Sequence, residues 1–62
     1  MTKKEVAQRI FKRLKKHKNI MINGMLFSNE YEFNFTYETC LFIEVDNKVY
    51  TNIMYSDIYT IY

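Results

Sequence analysis

The chain has 62 residues, a net charge of +2, and 48% hydrophobic and 18% aromatic side chains. That length admits one domain, residues 1–62, and a single cysteine, Cys40, excludes a disulfide framework. With His17 as the only histidine, no zinc-type ligand set is spelled out, so neither a metal nor a cofactor is expected. A domain this short buries only about 60% of the surface its unfolded chain exposes. Five Phe and six Tyr offer a dense aromatic core as compensation. Self-association is the other usual remedy, so a homo-oligomer is expected.

Net charge conceals a division. Residues 1–18 hold eight of the nine basic side chains against Glu5 alone, a net of +7. Residues 19–62 hold Lys48 against Glu30, Glu32, Glu38, Glu44, Asp46 and Asp57, a net of −5. Such asymmetry speaks to partners and long-range steering. No apolar h-region follows the basic N-terminus, and no run approaches the ~20 apolar residues of a membrane span. With one cysteine, this reads as a cytoplasmic protein that does not engage membranes. Proline and tryptophan are absent while Asn, Lys, Ile and Tyr abound, as in AT-rich genomes of low-GC bacteria and their phages. A phage origin would place the protein in the host cytoplasm.

The first element reads as an amphipathic helix over roughly residues 3–18. Thr2 caps it, and Glu5 three positions later completes a capping box. Val6, Ala7, Ile10, Phe11 and Leu14 recur at helical spacing on one face, with Gln8, Arg9, Lys12 and Lys16 opposite. Arg13 and Lys15 lie at the edges, and Lys15, Lys16 and Lys18 suit the negative end of the helix dipole.

A β region is expected from residue 20 to 62. Residues 20–27 are apolar apart from Asn23-Gly24, which leaves one bulged strand or a tight hairpin open. After a turn at Ser28-Asn29, Tyr31, Phe33, Phe35 and Tyr37 alternate with Glu32, Asn34, Thr36 and Glu38 as a strand. Leu41, Ile43 and Val45 continue a third strand to a turn at Asp46-Asn47-Lys48. A fourth runs from Val49 to Tyr55, and Ile58–Tyr62 makes a short fifth. In the last two, Tyr50, Met54, Tyr59 and Ile61 oppose Val49, Ile53, Tyr55 and Ile58. An apolar terminal strand without Lys or Pro is an edge that invites pairing, so Tyr50, Met54, Tyr59 and Ile61 are the expected self-association edge. The fold class is α+β, a helix followed by a strongly bent antiparallel sheet of about five strands.

One helix and then five short strands is the order of Sm-like and SH3-like small barrels. Leu41–Asn47, Val49–Met54 and Tyr55–Ile61 resemble the corresponding stretch of Sm-like proteins of the bacterial Hfq type, a likeness mainly over residues 37–62. The resemblance implies a small barrel, ring closure through the last two strands, and RNA binding at a Tyr-Lys-His motif. Only Tyr55 matches that motif, since Ser56 and Asp57 stand where Lys and His would be. The family's glycine in the bent second strand is also missing, Gly24 being the only glycine.

The basic helix is the functional signal. Lys and Arg on one helix face bind nucleic acid because neutralising phosphates releases counterions. Arg9, Lys12, Arg13 and Lys16, with Lys15 and Lys18 alongside, are the candidate contacts to nucleic acid or to an acidic protein surface. The bland alternative is a solvated helix face. Tyr50 and Tyr59 are candidate stacking platforms, although packing is the commoner use of such rings. Cys40 and His17 cannot be paired as nucleophile and base by sequence, and no phosphate-binding loop or paired catalytic carboxylates occur. The expected protein is therefore a non-enzymatic regulatory binder of nucleic acid, with no small-molecule substrate. The alternative is a protein-interaction module such as a phage-encoded inhibitor of a host protein.

Overall fold

The computed structural model describes residues 1–62. Helix α1 spans Lys3–Lys16 and opens with the anticipated capping box. Thr2 Oγ1 accepts the Glu5 N–H at 3.2 Å and Glu5 Oε1 accepts the Thr2 N–H at 3.1 Å, which satisfies two otherwise orphaned donors. The Thr2 N–H bond first, and then a bond from the Thr2 hydroxyl to Glu5 Oε1 at 3.0 Å, hold the Glu5 carboxyl below the usual carboxylate range. The helix stops two residues short of position 18. His17 is extended (φ −132°, ψ 149°) and its N–H closes the last turn onto the Arg13 carbonyl. Strand pairing from Asn19 onward competes for the chain there. This helix is not long and apolar enough to cross a membrane.

Five antiparallel strands follow: β1 (Asn19–Ile22), β2 (Met25–Ser28), β3 (Glu32–Asn34), β4 (Cys40–Val45) and β5 (Lys48–Met54). Residues 20–27 resolve to a hairpin. Asn23 (φ +50°) and Gly24 (φ +80°) give the two left-handed residues of a type I′ turn, and Ile22 faces Met25 across it. Asp46 (φ +52°) and Asn47 (φ +65°) do the same between β4 and β5. The molecule is thus α+β, but its strands form a β1-β2 sheet and a β3-β4-β5 sheet, in place of one bent sheet. They do not close into a barrel.

Three further departures have physical causes. The strand expected over 31–38 keeps its ladder only at Glu32–Asn34. The Asn34 side chain accepts the Thr36 N–H at 2.9 Å, and this local bond diverts the chain from pairing. In β5 the register shifts opposite Ile43/Glu44, so that Ile43 faces Thr51 and Glu44 faces Val49, with Tyr50 bulged between. One extra residue inverts the in–out alternation beyond it. Val49 and Ile53, set on one face by alternation, accordingly part: Val49 is exposed while Ile53 is half-buried. Finally, Tyr55–Asp57 forms a single 3₁₀ turn, and 58–62 contributes one isolated bridge, Ile22 to Ile61.

That last segment lies on the edge of β1 away from β2. Met21 and Tyr62 exchange N–H···O bonds of 2.9 and 2.8 Å, and the Asn23 N–H reaches the Thr60 carbonyl at 3.0 Å. The Asn23 side chain completes the latch. Its amide donates to the Asp57 carbonyl at 2.6 Å, and its oxygen accepts the N–H groups of Tyr59 (2.8 Å) and Thr60 (3.3 Å). The Met1 nitrogen donates to the carbonyls of Tyr55 and Ile58, so the 3₁₀ turn is held from the helix side as well.

One core cluster unites these parts. Val6 and Ile10 of the helix meet Ile20, Ile22 and Phe27 of the hairpin, Leu41 and Ile43 of β4, and Tyr55 and Ile58 beyond β5. No buried side-chain polar atom lacks a partner. Aromatic contacts surround the core. Phe27 has Tyr31, Phe33 and Tyr50 at 6.2–6.5 Å between ring centroids, and Phe35 stacks on Tyr55 at 6.3 Å while touching Phe11 at 5.5 Å. Phe11, assigned to the covered helix face by spacing, is 59% exposed, with Phe35 as its aromatic neighbour.

Two outcomes are expected. Asn23→Gly keeps the left-handed backbone but loses three side-chain hydrogen bonds, and should lower stability by about 1–2 kcal/mol in urea unfolding. Asn23→Ala should cost about 1 kcal/mol more than the glycine variant, because alanine keeps at φ +50° the Cβ whose strain glycine relieves. An alanine variant as stable as the parent would show that the latch contributes nothing. The second outcome concerns Tyr55, whose phenol pKa is raised above 10.0, chiefly by burial and then by the charges of Cys40 and Glu38. The folded state keeps that proton longer than the unfolded chain. Stability from Tyr55 is therefore full below pH 10.0 and is lost as pH rises through the folded value. Tyr55→Phe should flatten the alkaline limb of urea midpoint against pH, and an unchanged limb would remove the assignment.

Candidate functional site

Burying Val6 and Ile10 turns the opposite helix face to solvent. Arg9, Lys12, Arg13 and Lys16 follow the i, i+3, i+4, i+7 spacing that aligns side chains on one face, and they line one open groove of about 550 Å³. From Arg9 to Lys16 this row runs about 10 Å along the axis at ~1.5 Å per residue. Ile61 and Tyr62 line the groove from the segment latched onto β1, and the C-cap residue His17 lines it too.

The groove cations have no acidic neighbour within ion-pair distance. The molecule's one salt bridge is Lys3 Nζ to Glu38 Oε1 at 3.0 Å, outside the groove. Arg13 differs from the other three in being half-buried, with its Nε donating to the Asn19 carbonyl at 3.4 Å. It ties the helix to the start of β1 while adding charge. Lys15 and Lys18, grouped with these four from sequence, are exposed but do not line the groove.

Acidic side chains gather elsewhere. Glu32 and Glu44 stand directly opposite one another across β3 and β4, where like charges repel. With Phe33, Asn34 and Phe35 they line a smaller groove of about 270 Å³, and Asn34 donates to Glu44 Oε2 at 3.0 Å. The charge division of the sequence is therefore kept in space, with basic and acidic grooves on different elements. No three His, Cys, Asp or Glu side chains converge as a metal site would require. Cys40 faces Met54 across the β4-β5 ladder, and its thiol lies 3.9 Å from Asn52 Oδ1.

The four residues expected to form a self-association edge are divided between the two sheets. Tyr50 and Met54 belong to β5, whereas Tyr59 and Ile61 belong to the segment beside β1. Ile61 is bridged to Ile22 of its own chain, and the Tyr50 ring sits 5.7 Å from Tyr31 and 6.3 Å from Phe27. Tyr62 is not among the residues that motif and spacing single out. Its signal was the alternation Thr60-Ile61-Tyr62, which puts Tyr62 outward once Ile61 faces Ile22, but only the pairing with β1 places it beside the helix. No protein-family model, curated protein or solved structure matches this chain, so the groove and its charges are the ground for a functional reading.

Proposed function

We propose that this chain is a small non-enzymatic binding protein that takes nucleic acid on the basic face of its N-terminal helix. The observation that carries the reading is the groove row of Arg9, Lys12, Arg13 and Lys16, aligned within about two helical turns and unpaired with any carboxylate. Cations left without carboxylate partners attract a polyanion without first breaking an ion pair. Counterions released from the phosphates then supply the driving force. The acidic residues on the sheets, Glu32 and Glu44 among them, disfavour phosphate there, which favours the helix face.

An acidic protein surface is the second reading, and one observation favours it. Tyr62, Met21 and Leu26 lie in register across the outer face of the hairpin sheet, all three exposed. An apolar row next to a cationic groove suits a partner with an acidic segment and apolar anchors, including the host target of a phage-encoded inhibitor.

Salt dependence separates these from a merely solvated helix. For single-stranded nucleic acid, four phosphate contacts should give a slope of log K against log salt near −3, at about −0.7 per contact. Arg9, Lys12 and Lys16 changed together to Gln should weaken binding at least roughly tenfold at low salt and bring the slope near −1. Arg13 stays in place because it also holds the Asn19 carbonyl. Fluorescence anisotropy reads the affinity and circular dichroism confirms the fold. Equal affinity of parent and triple variant would end the proposal.

A further inference from the structure

We infer that the groove is built for single strands, with Tyr62 as a stacking platform for a base while the helix holds the flanking phosphates. This inference rests on the nucleic-acid reading and adds the class of ligand. It starts from how the aromatic rings are used. Nine of the eleven Phe and Tyr rings take part in ring–ring contacts, from Phe11 with Phe35 to Tyr37 with Phe42. The two that do not are Tyr59 and Tyr62, which are also the most exposed apolar side chains, at 73% and 67%. Only Tyr62 lines the basic groove.

The main chain of Tyr62 is held in place. Its main chain exchanges two hydrogen bonds with Met21 on β1, and β1 is held on its other edge by β2. A ring on a paired segment is presented at little further cost in order, which is what a stacking platform needs. Bases offer π-faces only when they are out of a duplex, and stacking on an aromatic side chain tolerates any base. A duplex presents phosphates to the cations but buries its base faces, so it would leave Tyr62 unused. Single strands engage both walls.

The test compares three probes in anisotropy titrations at low salt: a short oligothymidylate, an abasic deoxyribose-phosphate strand of the same length, and polyglutamate of matched charge. The oligothymidylate should bind about tenfold more tightly than the abasic strand, as expected for one stacked base. Tyr62→Ala should reduce oligothymidylate affinity to the abasic level and leave abasic binding unchanged. Tyr62→Phe should keep the parent's preference, and Tyr59→Ala should have no effect. If the abasic strand binds as tightly as the oligothymidylate, the stacking inference is overturned while the nucleic-acid reading stands on its salt slope. Binding of neither strand removes both. Polyglutamate that binds as well as oligothymidylate assigns the groove to an acidic protein and also overturns the inference. The comparison of probes uses the unmodified protein, so it decides the matter even should a variant fail to fold.

Discussion

The contact of Val6 and Ile10 with the hairpin sets the rest of the molecule. Both side chains are fully buried, and together with Ile20 and Ile22 they fix the rotation of α1 about its own axis. Once that rotation is set, residues at 9, 12, 13 and 16 have only one direction in which to point. The cationic face is a geometrical consequence of core formation, and no separate scaffold is required for it. β1 is the strand on which this depends. It takes β2 on one edge and residues 60–62 on the other, with the helix packed nearby. The groove exists because the helix and the latched segment are both referred to the same four-residue strand.

Size explains the aromatic content. Nine buried residues are a small core for any domain, and here a lone cysteine forms no disulfide within the chain and no three His, Cys, Asp or Glu side chains converge beside it. Phe and Tyr bury large areas for few rotatable bonds, and edge-on contacts such as Phe27 with Phe33 and Tyr50 add directional attraction. Tyr50 makes this plain. It is 63% exposed, yet its ring bridges from the β3-β4-β5 sheet to Phe27 of the hairpin. Rings that look like surface patches by exposure alone are joints between the two sheets.

Local signals in the sequence were accurate where the physics is local. Thr2 with Glu5 marks the helix start, and Asn23-Gly24 and Asp46-Asn47 mark two turns whose positive φ those residue types tolerate. The burial of Tyr55 and Ile58 opposite exposed Met54 and Tyr59 follows from alternation. What was not legible depended on distant partners. The split into two sheets, the bulge at Tyr50 and the docking of 60–62 on β1 are decided by contacts across the core, which no residue's own neighbours encode. The expectation of an Sm-like barrel, drawn mainly over residues 37–62, uses hairpin pattern, and barrel closure is a relation between hairpins. The site divides the same way. Helical spacing placed four of its cations, whereas Tyr62 needed a register that only the folded molecule supplies.

The bulge in β5 has a consequence for how this protein behaves in company. β5 is seven residues long and has a free side, and it carries Val49, Tyr50, Ile53 and Met54, a composition typical of aggregation-prone segments. A cross-β template must be flat and in constant register along its length. At Tyr50 the backbone kinks and the alternation changes phase, so an incoming strand that matches residues 51–54 is out of step with residues 48 and 49. The irregularity thus shortens the usable template to about half the strand, which makes the exposed edge a poorer guide for an incoming copy than its composition alone would suggest.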